Sequence, residues 1–389
     1  MNANSFFMKK KLIRVTTISE SLFSLLKGQL KFLSNYYEVV GVAANRGNET
    51  LDDVVRQEGI RCVDVPMCRE ISLFDDLKSL FRLIIFFRKE KPYIVHANTP
   101  KGSLLSMIAA WITRVPHRVY TVTGLRFETT TGSFRKLLIT MEKITCACAT
   151  KVIPEGEGVK NTLIANGITR KPLSVVWNGN INGIDVDYFD RTEEVMNRVG
   201  AICDTGDFNF VFVGRIVGDK GINELVRVFE RLSNQYVNIS LHLIGNFESE
   251  LDPLEKDVER IIKQNHKIVI WGFQSDVRPF LASADVLVFP SYREGFPNVV
   301  LQAGAMGLPS IVTDINGCNE IIQDGINGKI IPPKDGEALY GAMKWMYEHR
   351  DSEVTEMAKH ARPMIVERYE QHKVWKALLE EYRSLDNNA

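Results

Sequence analysis

One alternation recurs along the chain: short runs rich in Val, Ile and Phe, each followed by a longer amphipathic stretch. Apolar runs without polar alternation suit strands buried on both faces, and helical stretches between them return the chain to the starting edge of a parallel sheet. In the first half, strand-like runs at 11–18, 38–43, 59–65, 93–96 and 117–123 are joined by helical periodicity at 21–33, 74–89 and 101–113. The pattern restarts at Phe208. Strands are expected at 209–213, 240–244, 268–271, 285–289 and 309–313, with helices at 222–232, 253–264, 276–284 and 298–306. Residues 335–349 and the chain from Glu353 onward also read as helical. The fold class is therefore α/β, two Rossmann-like doubly wound domains facing an interdomain cleft. Residues 1–172 form the first domain, 173–365 the second, and 366–389 a last helix returning to the first.

With 389 residues, 45% hydrophobic and 25% charged, the chain can fill two such cores, and disorder, collagen and coiled coil are excluded. Its 48 Lys and Arg cancel its 48 Asp and Glu, so the whole chain carries no signal for nucleic acid. Cutting it after residue 172 separates the charges: 26 Lys and Arg against 15 Asp and Glu in the first part, 22 against 33 in the second. A basic half suits an anionic surface or ligand, unless the two halves merely complement each other. No apolar run approaches the roughly 20 residues of a membrane span. The basic cluster Lys9, Lys10, Lys11 follows the first apolar residues, the reverse of a secretory leader, so export is not expected. The cysteines at 62, 68, 146, 148, 203 and 318 lack zinc-ligand spacing and read as reduced thiols filling cores.

In open α/β sheets, ligands sit beyond the carboxyl ends of the strands, so chemistry is sought just after them. Strand 209–213 runs into Gly214-Arg215-Ile216-Val217-Gly218-Asp219-Lys220-Gly221 and then a helix. Glycines admit close backbone approach, Arg215 can grip phosphate oxygens in pairs, and Lys220 adds a compact positive charge. A diphosphate fits, although a plain charged turn has the same letters, and the Walker spacing is absent. Strand 285–289 leads to Ser291-Tyr292-Arg293-Glu294-Gly295-Phe296-Pro297-Asn298 and a helix carrying Gln302. Glu294 can accept hydrogen bonds from sugar hydroxyls, though a lone loop acid is more often just solvated.

Together these segments resemble the retaining group 1 (family 4) glycosyltransferases of GT-B fold. The resemblance rests on Gly214-Arg215 with Lys220-Gly221, on Glu294-Gly295-Phe296, on Ala303-x-x-Met306-Gly307-Leu308-Pro309, and on Asp324-Gly325-x-Asn327-Gly328. Before residue 208 it is less sharp, resting on 95–101 and on 120–126. The nearest branch assembles bacterial capsule, O-antigen and exopolysaccharide. The resemblance implies that Gly214, Arg215 and Lys220 hold the donor diphosphate and that Glu294 binds the transferred sugar. It places Phe296, Pro297 and Asn298 on sugar and phosphates, Gln302 on the ribose, and the base near Trp271 and Phe273. His96, Lys101 and Thr123 fall on the acceptor side, with a buried strand-end histidine as the plainer reading of His96.

Two positions depart from the family pattern. A second Glu is expected eight positions after Glu294, and Gln302 stands there; many relatives have His where Thr123 stands. A neutral amide can still hydrogen-bond a ribose, and electrostatic stabilisation of the leaving diphosphate needs no protein base. The resemblance implies a metal-independent hexosyl- or N-acetylhexosaminyltransferase, with no cofactor and no metal ligands. Asp185 and Asp187 match a linker motif rather than a metal site. The donor is a nucleotide sugar, UDP favoured over GDP, and the acceptor a polyprenyl-diphosphate-linked glycan. The expected location is cytoplasmic, peripheral at the inner face of the membrane, where Lys9, Lys10, Lys11, Arg88, Lys89, Lys91, Arg135 and Lys136 meet anionic lipid. The apolar stretch 77–87 is expected to be a buried, sheet-covering helix. A sugar-nucleotide 2-epimerase and a catalytically silent donor-binding subunit remain as rival readings.

Overall fold

In the computed structural model, which describes residues 9–68, 72–202, 206–248 and 252–385, the chain divides into two compact units. The first is Met1–Gly183 with His372–Ala389, the second Ile184–Gln371. The first crossing falls after 183 rather than 172 because Leu173 bridges Val152 and Asn180 N donates to Glu155 O, tying that segment to the first sheet. The return falls at His372 rather than 366, since Ile184 exchanges backbone hydrogen bonds with Tyr369 and Gln371.

The first unit carries β1 (Lys11–Ile18), α1 (Ser19–Leu25), α2 (Gln29–Ser34), β2 (Glu38–Ala44), α3 (Leu51–Glu58) and β3 (Arg61–Asp64). It continues with α4 (Leu73–Glu90), β4 (Ile94–Ala97), α5 (Pro100–Ile112), β5 (His117–Val122), α6 (Gly132–Cys148), β6 (Lys151–Pro154) and α7 (Glu157–Ala165). The second unit holds α8 (Glu193–Met196), β7 (Phe208–Val213), α9 (Ile222–Ser233), β8 (Ile239–Ile244), α10 (Lys256–Gln264) and β9 (Ile268–Gly272). It ends with α11 (Arg278–Ser283), β10 (Val286–Phe289), α12 (Asn298–Ala305), β11 (Ser310–Thr313), α13 (Cys318–Ile321), β12 (Gly328–Ile331), α14 (Gly336–Glu348) and α15 (Glu353–Tyr369). The last helix is α16 (Gln371–Ser384).

Both sheets are six-stranded and parallel, ordered β3-β2-β1-β4-β5-β6 and β12-β11-β10-β7-β8-β9. Each unit therefore begins at the centre of its sheet, winds outward on one side and then crosses to the other. That is the doubly wound order of nucleotide-binding folds, with a crevice where the winding reverses: β1/β4 in one unit and β7/β10 in the other. The central strands are buried along nearly their whole length, as their apolar runs require.

The helix expected over 21–33 is broken at Gly28, which turns left-handed at φ +79° between α1 and α2. A Cβ there would press into the Trp375 ring. The strands β6 and β12 and the helices α6 and α7 escape the sequence pattern. The two strands have four residues each, and the apolar residues of α6 are spread around its axis. Five cysteines are free thiols, and Cys203 lies outside the described residues.

A fully buried cation sits under the first sheet. Arg14 on β1 donates to Gln29 Oε1 at 2.9 Å and to the Tyr382 hydroxyl at 3.0 Å, while its Nε and remaining Nη find no partner. Tyr382 on α16 also meets His96 Nδ1 at 2.5 Å. Removing the hydroxyl strips a partner from two fully buried groups. Tyr382→Phe is therefore expected to cost about 1–3 kcal/mol of stability. Denaturant unfolding checks this, and a change within about 0.5 kcal/mol would place the hydroxyl among ordinary surface groups.

Candidate functional site

Because β7 and β10 are paired neighbours, the loops that follow them are neighbours too. The loop after β7 tightens through a short 3₁₀ turn (Gly218–Lys220) and enters α9 at Gly221. Gly221 is left-handed at φ +72°, and a Cβ there would collide with the Pro290 carbonyl oxygen. No other residue type lets the two loops come this close. Tyr292 N donates to Asp219 O at 2.9 Å, adding a backbone link between them.

This approach brings Lys220 and Glu294 together across 74 residues of sequence as an ion pair. Both side chains are mostly shielded, at 14% and 17% exposure. Ser291 Oγ donates to the same Glu294 oxygen at 2.8 Å, and the Lys220 ammonium lies 5.7 Å from the centre of the Phe289 ring. Arg215 is half-exposed, with Nη1 on Glu248 at 2.7 Å and Nη2 3.9 Å from Asp219. Burial pulls against its charge, yet Glu248 and Asp219 hold the guanidinium above its ordinary pKa. Three anchors expected from the sequence thus stand on two adjacent loops at the reversal point of the sheet.

The other donor-side residues divide. Pro297 caps α12 and Asn298 opens it, placing the positive end of that helix beside Glu294. Gln302, one turn further, is half-buried and its side-chain amide makes no hydrogen bond among the described residues. The Phe296 side chain is core: it is buried against the Tyr369 ring at 5.5 Å, so only its backbone can serve a ligand. Trp271 and Phe273 lie at the end of the edge strand β9. The Trp271 indole donates to His242 Nδ1 at 3.0 Å, whereas the Phe273 ring is exposed.

In the first unit His96 follows its plainer reading as a buried strand-end histidine, and Lys101 turns inward. His96 is buried within β4, held by Tyr382 and by Thr121 Oγ1 at 2.7 Å. Burial and the nearby Arg14 charge depress its pKa well below the usual histidine value, so it is a neutral core group rather than a surface contact. Lys101 is nearly buried and grips Asp76 with both carboxylate oxygens at 2.7 and 2.8 Å. Thr123 donates to the Asn98 carbonyl at 2.6 Å, just beyond the ends of β5 and β4. Asn98 itself was not singled out as a site residue. It is buried with both side-chain amide atoms unpartnered among the described residues, and its place inside the 95–101 motif is the signal that could have marked it. Beside these groups is a cavity of about 60 Å³ lined by Lys101, Leu104, Arg126, Phe127, Leu138 and Glu142.

Among the described residues, no three His, Cys, Asp or Glu side chains gather in a way that could hold a metal ion. No helix of the described residues is long and apolar enough to cross a membrane.

Two family models match the chain: "Glycosyl transferase 4-like domain" over residues 34–179 and "Glycosyl transferases group 1" over 207–349. A capsular polysaccharide biosynthesis glycosyltransferase of Staphylococcus aureus, CapM, is 33% identical over 377 residues, covering 96% of this chain and 97% of that one. An Escherichia coli UDP-Gal:alpha-D-GlcNAc-diphosphoundecaprenol alpha-1,3-galactosyltransferase is 29% identical, covering 79% and 80%. Among solved structures, Anabaena HepE in complex with UDP and glucose superposes with a TM-score of 0.80 at 16% identity, covering 96% of this chain and all of that one.

The cavity wall supplies a pH test. Burial raises the Glu142 pKa to about 7, against the opposing effect of the hydrogen bond it accepts from the Tyr120 hydroxyl at 2.6 Å. The folded carboxyl keeps its proton to about pH 7, while the unfolded one releases it near 4.5. Between those values the folded state binds more protons, so this contribution is full below the lower pKa and is lost as pH rises through the upper. Glu142→Gln is expected to flatten that part of the profile. Melting curves of both forms across the window check it, and parallel profiles would remove Glu142 as the source.

Proposed function

The chain belongs to the group 1 glycosyl transferases and has the GT-B fold, and from that premise we propose a retaining, metal-independent transfer of a hexose or N-acetylhexosamine. The donor is a UDP-sugar, and the acceptor a polyprenyl-diphosphate-linked saccharide used in building a bacterial surface polysaccharide. The observation that carries the reading is the Lys220–Glu294 pair at the β7/β10 reversal point. One partner suits phosphate oxygens and the other sugar hydroxyls, so a sugar diphosphate can satisfy both ends of the pair as it replaces it.

In this reading Lys220 and Arg215 take the diphosphate, helped by the N-terminal end of α12, and negative charge developing on the leaving nucleotide meets fixed positive groups. Glu294 orients the transferred sugar, with Ser291 fixing the carboxylate. Gln302 offers a neutral donor and acceptor to the ribose, and the backbone at Phe296, with Pro297 and Asn298, faces the sugar. Trp271 and Phe273 flank the base. Thr123, with Asn98, serves the acceptor side in the first unit. Support for the donor comes from the UDP-bound fold neighbour and the UDP-Gal-using relative, whose acceptor is a diphosphoundecaprenol-linked sugar. That relative makes an α-1,3 linkage, and CapM supports the capsule assignment. The place of action follows from the acceptor: the cytoplasmic face of the membrane, reached peripherally.

Thermal shifts with UDP, GDP, ADP and TDP, with and without EDTA, test donor and metal together. A shift with UDP alone, unchanged by EDTA, is expected; at a hundredfold excess over Kd, binding adds about 2.7 kcal/mol. Lys220→Ala and Glu294→Gln are each expected to lower transfer by at least about a hundredfold, with folding checked by melting temperature. Full activity in either variant would overturn the site. Donor binding without turnover would return the silent-subunit reading, and donor isomerisation without acceptor the epimerase.

A further inference from the structure

The helix α4 is not the buried sheet cover that its apolar run implies. It does bury Ser79, Leu83 and Phe87 against the first unit. A second apolar face points outward, with Phe74 82%, Leu77 63%, Phe81 64% and Ile85 52% exposed. At about 100° per residue these four fall within one sector, roughly opposite the buried stripe. At about 1.5 Å rise per residue the sector is some 16 Å long, too large an apolar strip to be scattered surface residues.

The unmatched charges along this strip have one sign. Each acid of α4 is engaged: Asp75 with Lys78, Asp76 with Lys101, and Glu90 with Lys11 and Arg61. Arg82, Arg88 and Lys89 are exposed and have no anionic partner among the described residues. The nearby helix α6 repeats the arrangement, with exposed Phe134, Leu137 and Ile144 and with exposed Lys136 and Lys143, unpaired among the described residues. Both helices pack on α5. An apolar strip edged by unmatched cations complements a surface that is apolar inside and anionic outside. A second copy docked on the same face would set these cations against their own kind.

We propose that the outer faces of α4 and α6 form a membrane-docking surface that inserts the Phe74–Leu77–Phe81–Ile85 strip into anionic lipid headgroups. The inference rests on the reading of a lipid-carried acceptor and names the surface that brings the enzyme to it. Asp76 near the start of α4 binds Lys101 at the start of α5, so the strip begins at the carboxyl edge of the sheet, beside Thr123 and Asn98. Docked there, that edge would lie next to the headgroups that present the carrier's diphosphate.

The test is flotation of the full chain with vesicles of phosphatidylcholine alone or with one third phosphatidylglycerol. Binding to the anionic vesicles is expected, weakened by high salt, and reduced by about tenfold or more in Leu77→Glu/Phe81→Glu and in Arg82→Glu/Lys89→Glu. All four side chains are exposed, and unchanged melting temperatures confirm the folds. Transfer to a short-chain, water-soluble acceptor should survive in both variants while transfer to a vesicle-held acceptor falls. Absence of vesicle binding, binding that the variants retain, or a concentration-dependent dimer abolished by Leu77→Glu/Phe81→Glu would overturn the proposal. If the wild type uses soluble acceptor but does not float, only the docking surface fails. If it floats but uses no polyprenyl-diphosphate acceptor, the acceptor reading fails instead.

Discussion

The Lys220–Glu294 pair depends on a backbone fact: two loops from adjacent parallel strands approach so closely that only hydrogen fits between Gly221 and the Pro290 carbonyl. The close approach puts a cation and an anion in a partly desolvated place where neither would be stable alone. Ser291 and the face of Phe289 complete their surroundings. A pair of this kind adds little to stability, since each charge loses water in meeting the other. Its value is positional. It keeps both side chains extended toward one point, at the place in the sheet where helix starts and strand ends converge.

The two units share a strand order but fill the reversal point differently. In the second, charged groups line it. In the first, the equivalent place at the ends of β1 and β4 holds hydroxyls near the Lys101–Asp76 pair: Thr17 Oγ1 and Thr99 Oγ1 lie 2.8 Å apart, and Gly102 N donates to Thr17 at 3.1 Å. Net charge runs the other way, since the part of the chain beyond residue 172 has 33 acids against 22 bases. A ligand meets the few groups within reach, so the position of Lys220 and Arg215 outweighs the sum.

Much of this could be read from the residues. The α/β alternation yields both sheets because fully buried parallel strands have an unmistakable apolar signature, and motifs following strands land at the carboxyl edge by geometry. The places of Lys220 and Glu294 on the loops after β7 and β10 were legible from the strands before them, and their pairing was not. Less visible were elements whose signal is short or divided. The four residues of β6 end in a proline, and β12 opens on a glycine and carries a lysine. The left-handed turn at Gly28 needs knowledge of Trp375, far along the chain. His96 and Lys101 carry the right letters in the right motif, yet their partners Tyr382 and Asp76 come from distant segments, and those partners turn them inward. Asn98 stands inside the 95–101 motif with no role attached to it there; what distinguishes it is a buried side-chain amide without a partner among the described residues.

The helix α4 shows where pattern reading reaches its physical limit. A helix with apolar residues around its axis is expected to be enclosed, because water penalises each exposed face about equally. That rule assumes the only nonaqueous environment is the protein's own interior. Here one face is in that interior and the other is bordered by cations that meet no anion among the described residues. Apolar periodicity records that a face avoids water, and it is silent on what replaces the water. Charge bookkeeping separates the cases: the acids of α4 are matched within the chain while three of its bases are not. An interior-facing helix has no reason to keep that imbalance, whereas a helix lying at the surface of an anionic bilayer does.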